Sequence, residues 1–523
     1  MKRVFLCLLA AMLLVFPGCG KKDGEKEAKI ASRYFFYEQD DKLFCLDTET
    51  QKSTQITGIE TPITDVSAKL SKDGKTIVFV MGEGLYRWDV GSKKAQLIDT
   101  GVAGCMGSET MDTLLYSKEE EQIDEDNQAY QVSRAYLYTK DHGTTQVSTM
   151  NSAYVSVSDD GNSILMEEID ISRVTDFENQ TSYAPTNLYR IAADGSKEVL
   201  ADVIWYSTAA SADHSTICYL KKEGEPIGDY GPSWPAYQWT EQGEKRLPFE
   251  ATEMMVFGAD EIYYSRKNGE GWDQYYFDGK ESHLLAENGL YYGGKAGDHF
   301  YIFQVKTADE KYEQYVAYQG KTVIVPGGYY NTKNAAWGGL SYDRETLYVW
   351  AEKEAYAVRM ENNELTCTSM GEVGEFTPRR STVSGGNVLQ NADGVRLNGE
   401  LISANGTEGG LSIDGNYVAY REGDALYRYS NQEITRISDT VSGSFCALDD
   451  GNVLYYKNWQ EDVGGTLCIG NGKKENTVGD NIQVLGVAFP WPVGEMGNMV
   501  VSGKYEYMVQ YSISIGDYIV QKH

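Results

Sequence analysis

Apolar residues recur along this chain in short runs, and a polar turn bounds nearly every run. In 411–429 the turn Ser412-Ile413-Asp414-Gly415 precedes the run Tyr417–Tyr420, and Glu422-Gly423-Asp424 precedes Leu426–Tyr429. The same order returns as "LSKDGKTIVFV" (70–80) before "GEGLYRWDV" (82–90), and as "VSDDGNSILM" (157–166) before "NLYRIAADGSKEVL" (187–200). Its first half recurs at 210–220, 340–350 and 447–456. No stretch sustains a 3.6-residue period, so the pattern predicts strands and not helices. Asp-Gly suits tight hairpins: Gly accepts positive φ, and the Asp carboxylate accepts from nearby backbone N–H groups.

The turn Asp or Asn falls at 73, 112, 160, 213, 260, 298, 343, 387, 414, 450 and 498, about 42 residues apart on average. The Leu or Tyr of the second half recurs in twelve copies between Leu43 and Tyr507 with the same mean spacing. Four short strands at a period of about 40–45 residues are the signature of a β-propeller blade. One such unit cannot bury both faces of its sheet without neighbours. The expected fold is therefore all-β, about twelve four-stranded repeats. Twelve exceeds one ring, so two consecutive propellers of about six blades are expected, at 32–286 and 287–523. The first copy lacks its first strand, which leaves ring closure open at this stage.

The Ser-x-Asp-Gly halves resemble the WD40-like repeats of TolB-type propellers, and "NLYRIAADGSKEVL" is similar to the Leu-Tyr-Arg repeats of Firmicute lipoproteins with that fold. The resemblance covers roughly residues 32–515. The chain departs from TolB in showing no α/β N-terminal domain. It departs from true WD40 repeats in placing Trp88-Asp89 in a Leu-Tyr strand with no Gly-His upstream. The resemblance implies a binding scaffold and supplies no catalytic residues.

The N-terminus reads Met1-Lys2-Arg3, then the uncharged run Val4–Phe16, then Pro17-Gly18-Cys19. A basic start, a short apolar run and a small residue before the cleavage point predict a secretory signal. The run is shorter than the ~20 residues of a spanning helix. Cys19 after Gly18 resembles a bacterial lipobox, with Phe16 where Leu is usual. This implies a lipoprotein signal peptide over 1–18, lipidation of Cys19 and a charged, flexible tether over 19–31. The chain is then expected to be exported and anchored to the outer face of the cytoplasmic membrane. It would touch the membrane through the N-terminal lipid only.

Lys and Arg number 47 against 77 Asp and Glu, a net charge of −30, which repels nucleic acid and favours solubility. Six Cys follow Cys19, none in a CxxC, and the five His form no HxxxH or HExxH, so no metal site or cofactor is expected. A Cys446–Cys468 disulfide stays open, because spacing alone cannot establish it. No GxSxG, P-loop or Rossmann fingerprint occurs, and no catalytic residue is assigned.

Function is then expected where the array stops repeating. The connections between second and third strands are long in three successive units, at Lys118–Gln128, Glu167–Pro185 and Lys221–Pro235. Long insertions on one face often carry function. The first is acidic, and the third brings Tyr230 and Trp234, aromatics suited to stacking on a glycan or anchoring a protein. Tyr237 and Trp239 are assigned to the following strand. Trp272, in "NGEGWDQ", is a further candidate contact, with Trp459 and Trp491 as other loop aromatics. The expected function is a non-catalytic envelope scaffold for a protein or glycan partner. The alternative is a propeller hydrolase or lyase acting on extracellular glycan or peptide.

Overall fold

The structure, a computed structural model, describes residues 33–123, 129–148, 152–169, 186–204, 207–223, 232–269, 271–290, 294–296, 300–308, 311–329, 338–340, 345–351, 354–372, 381–384, 387–391, 394–412, 414–461, 463–490 and 499–500. Every regular element among them is a β-strand. The strands repeat one plan, seen in Glu408–Leu411, Val418–Glu422, Ala425–Ser430 and Glu433–Ser438, each antiparallel to the one before. Among the described residues ten such meanders follow a first one that has three strands of its own. They span 34–55, 66–100, 102–146, 152–203, 209–251, 253–289, 294–329, 338–372, 381–403, 408–438 and 445–482, and are numbered first to eleventh below. Successive four-stranded antiparallel meanders are the build of propeller blades. The twelfth expected copy, around Tyr507, lies outside the described residues.

The Ser-x-Asp-Gly motif is the turn between first and second strands, and its chemistry explains its recurrence. The buried Ser71 hydroxyl donates to Asp73 Oδ1 (2.7 Å) and accepts from the Thr76 amide (2.9 Å). Asp73 Oδ1 also accepts from the Lys75 amide (3.1 Å). The same bonds form at Ser158/Asp160, Ser211/Asp213 and Ser412/Asp414. The residue after the acid takes the left-handed conformation: Gly74 at φ 71°, Gly161 at 74°, Gly415 at 72° and Gly451 at 79°. In two copies this slot holds another residue, Met111 (59°) and His214 (54°). Asp112, expected as a turn acid, therefore sits two positions past that role, which Thr110 occupies. Asp112 instead pairs with Arg87 of the second sheet (2.8 Å).

These turns also join the sheets. The Lys72 amide donates to the Glu109 carbonyl (2.8 Å), Glu109 to Asp159 (2.9 Å), and Asp159 to Ala212 (3.0 Å). Each is the residue after the motif Ser or its equivalent, so one repeat position stitches the second to fifth sheets in series. The Arg of Leu-Tyr-Arg adds a second tie. Arg87 reaches Asp112, Arg190 lies over the Trp239 ring (5.2 Å), and Arg428 donates to the Gly451 carbonyl, each on the next sheet.

Neighbouring sheets bury both faces of the fourth sheet. Leu115 and Leu137 of the third sheet pack with Ile164, Met166 and Ile191 of the fourth. Leu165 and Leu188 of the fourth pack with Ile217 and Tyr219 of the fifth. A second strand such as Ser163–Ile169 is thus buried at nearly every residue, which is why these runs are continuous rather than alternating.

Closure comes from the far end of the chain. Glu475–Pro490 pairs along its first half with Gly464–Gly470, then continues beside Tyr34–Gln39 from Glu38↔Gln483 to Tyr34↔Ala488. It thereby supplies the first sheet with the strand its own segment lacks, and Ala68–Leu70 of the second sheet pairs in parallel with Ala488–Pro490. The boundary expected after residue 286 falls inside the strand Ser282–Gly289, whose Gly289 pairs onward with Val305 of the seventh sheet. The signal and tether expected over 1–31 lie outside the described residues.

Candidate functional site

In the second and tenth sheets the second-to-third connection is a two-residue turn, with Met81 opposite Gly84 and Glu422 opposite Ala425. In the sixth sheet Asn268 pairs with Gly271. The third, fourth and fifth sheets between them differ. Thr113–Ile123 pairs with Ala129–Thr139 up to Ile123↔Ala129. The flanking strands stop at Val102↔Lys118 and Tyr136↔Gln146. Residues 119–123 and 129–133 therefore pair only with each other among the described residues. The expected acidic loop is, up to Ile123, a two-stranded ribbon, braced by Glu120 against Arg134 (2.8 Å). Asp124, Glu125 and Asp126 lie outside the described residues.

In the fourth sheet pairing continues to Ile169↔Thr186, so Glu167 and Glu168 are strand residues rather than loop carboxylates. Buried Glu167 accepts from the Thr208 amide (3.0 Å) and holds the crossing to the fifth sheet. Glu168 pairs with Lys197 (2.5 Å). In the fifth sheet the Lys221 amide donates to the Pro235 carbonyl (3.2 Å) beyond the pair Leu220↔Ala236.

The described candidate aromatics are packed. Trp234 opens the strand Trp234–Thr240 and is 5% exposed, among Leu220, Leu247, Phe249 and Met254. Its expected place in a loop is corrected: Pro235 is tolerated at the start of a strand. Trp272 is 8% exposed in the strand Gly271–Phe277, with Lys267 Nζ 3.6 Å from its ring centroid. Neither presents a ring to solvent. Tyr237 and Trp239 take strand positions as expected, and Trp459 leans on Tyr456 (4.7 Å). Tyr230 and Trp491 lie outside the described residues, and so does Cys19.

What the three sheets share is a lysine laid on the tyrosine of the third strand and paired with a carboxylate. Lys118 lies 5.3 Å from the Tyr136 ring and pairs with Asp99 (2.7 Å). Lys197 lies 3.6 Å from Tyr189 and pairs with Glu168. Lys221 lies 4.7 Å from Tyr237 and pairs with Glu244 (2.6 Å). The Tyr116 and Tyr219 phenols donate to the same Asp99 and Glu244 (2.6 Å each). Burial works against the charge on both carboxylates, but the lysine and phenol bonds outweigh it and hold them below the ordinary range. These stations were not found from sequence, because each joins residues from different strands.

Two further clusters have recognisable chemistry. Asp278, Glu281 and His283 bring ligand atoms within 4.8 Å of one another on one hairpin. There Asp278 accepts from the Lys280 and Glu281 amides (2.9 Å each) and from His283 (3.0 Å), which is the work of a turn cap. His214 Nε2 lies 2.7 Å from Ser156 Oγ, and Nδ1 lies 3.0 Å from Ser163 Oγ. A nucleophilic serine would need His214 to become imidazolium in the transition state. Burial, then the charge of Arg190, pushes His214 down to about 4, and among the described residues its ring nitrogens meet serine hydroxyls rather than a carboxylate. The arrangement opposes that charge, and the ring joins the fourth sheet to the fifth.

No family model and no curated protein matches the chain. Among solved structures it is similar to an acylaminoacyl peptidase of Pyrococcus horikoshii, at 14% identity and TM-score 0.34, over 64% of this chain and 59% of that one. The β-propeller domain of the Trilobed protease from Pyrococcus furiosus matches at 12% identity and TM-score 0.34, over 58% and 97%. TolB from Acinetobacter baumannii matches at 13% and 0.24, over 49% and 64%. The chain thus spans about three fifths of the length of the peptidase it matches. These likenesses are distant, concern the fold alone, and assign no activity.

Proposed function

We propose that the chain is an exported, lipid-anchored binding scaffold whose partner, a protein or glycan of the cell envelope, docks at the long connections of the third to fifth sheets. One observation carries this reading: lengthened second-to-third connections fall on three adjacent sheets, flanked by sheets that make the same connection tightly. The folding of a sheet does not need such length. Anchoring rests on the resemblance of Pro17-Gly18-Cys19 to a lipobox. The test replaces residues 222–233 with Gly-Asp, the turn of the tenth sheet, and places a photo-crosslinking residue at Tyr230 in the parent. A crosslinked envelope partner, or retention on a defined glycan array, that is lost on shortening supports the proposal. Unchanged binding after all three connections are shortened removes it. Separately, Cys19→Ala is expected to abolish fatty-acid labelling and release the protein from membranes.

A further inference from the structure

The slot after the turn acid holds Gly at 74, 161, 415 and 451, where it asks nothing of its surroundings except room. At 214 it holds His, in the same left-handed conformation and 4% exposed. The side chain leaves the fifth sheet and enters the fourth. There each ring nitrogen meets a serine hydroxyl, Ser156 Oγ on the first strand and Ser163 Oγ on the second. Neutral imidazole fits this pair, with one nitrogen donating and one accepting against hydroxyls that can do either. The charged groups around it are Asp213 on its own turn, Asp160 on the turn of the fourth sheet, and Arg190 on the third strand of the fourth sheet.

We infer that His214 is an acid-sensitive latch between the fourth and fifth sheets, closed while its ring is neutral and released when the ring takes a proton. Charging the ring places a cation in a buried site beside Arg190, with both acids turned to their own Ser-x-Asp turns. Burial and the charge of Arg190, opposed by Asp213 and Asp160, bring the folded value down to about 4 against an ordinary 6.5. The sign follows. The unfolded or opened ring protonates first as pH falls, so the closed seam holds its full stability above about 6.5 and loses it progressively toward 4. The Gly seams have no group that titrates in this slot. The latch joins two of the three sheets that carry long connections, at the opposite end of their second strands, so any effect on binding would pass along those strands and rests on the function proposed above.

Hydrogen exchange on the full chain tests this, as protection factors corrected for intrinsic pH dependence at about pH 7, 5 and 4. Peptides over 152–169 and 207–220 report the latch, and peptides over 408–422 and 445–456 report the Gly451 seam as an internal reference. The wild type should lose about tenfold or more protection at the latch relative to the reference. His214→Asn, which tolerates the left-handed conformation but does not titrate, and His214→Gly should each remove that excess. Each variant is read against its own pH 7 value, so a general loss of stability does not mimic the result. Protection that holds to pH 4 in the wild type, or an equal pH dependence in both variants, overturns the latch.

Discussion

One backbone position, the left-handed slot of the turn, takes three residue types for three reasons. Gly451 takes the left-handed conformation without strain, and a Cβ there would crowd the Tyr417 ring at 2.9 Å. Met111 is there despite a strain of about 1 kcal/mol, because its side chain is buried in the cluster of Leu114, Tyr116 and Tyr138. That burial contributes roughly 2–3 kcal/mol. Met111→Gly should therefore destabilise by about 1–2 kcal/mol, although it installs the commoner residue. Gly451→Ala should cost about 2–3 kcal/mol through combined strain and clash. Thermal midpoints of the two variants check this, and a stabilised Met111→Gly would refute it. The turn acid was legible in sequence because Ser-x-Asp-Gly is local. Asp112 was misassigned because a local motif cannot show a partner on another sheet. Arg87 is 6% exposed and bonds Asp112, Asp89 and Thr76. Arg87→Ala should lower stability by about 2 kcal/mol, and more than Arg428→Ala, whose guanidinium bonds a carbonyl and lies over the Tyr417 ring but meets no carboxylate among the described contacts. Equal effects in paired denaturation curves would count against that distinction.

Among the elements, strands were legible and their lengths were not. The runs Ile77–Met81 and Ile217–Leu220 announce themselves by apolarity. The ribbon beyond Lys118 is built from Glu119, Glu120 and Glu121, whose composition suggests a solvated loop. Cross-strand pairing overrides that suggestion, since Glu119 and Glu121 take exposed positions of a hairpin while Glu120 meets Arg134. Trp234 failed the other way: Pro235 and the glycines before it hid the start of a strand, and the ring went to the core. The same reasoning separates what the ribbon does from what the sheet needs. An isolated two-stranded hairpin is marginal in water. Replacing 119–133 by Gly-Asp should therefore leave the thermal midpoint within about 2 °C, because the flanking strands end before it. A larger drop would mean that the ribbon braces the fold, and would weaken its place in the proposed binding face.

The whole molecule depends on one strand that serves two sheets. Glu475–Pro490 is the last strand of the eleventh sheet and the missing strand of the first, so the ends of a long array are tied by backbone hydrogen bonds rather than by a disulfide. Cys446 and Cys468, left open by spacing, face different clusters and remain thiols. Repeat arrays gain stability from neighbour interfaces, and an open array leaves two terminal faces without one. The crossing point is tight: a Cβ on Gly486 would meet the Val66 carbonyl oxygen at 2.0 Å, and that atom is backbone, which cannot swing aside. Gly486→Val should therefore part Gly486–Pro490 from the second sheet and cost about 3 kcal/mol or more. Gly410→Ala, with open space at its Cβ, is the control and should be nearly neutral. The expected signature is regional before it is global: faster hydrogen exchange across 34–39, 66–70 and 483–490, with the fourth to sixth sheets unchanged. Uniform loosening of every sheet would instead mean that closure is felt along the entire array at once. No change at 34–39 would mean that the first sheet holds without the strand it borrows.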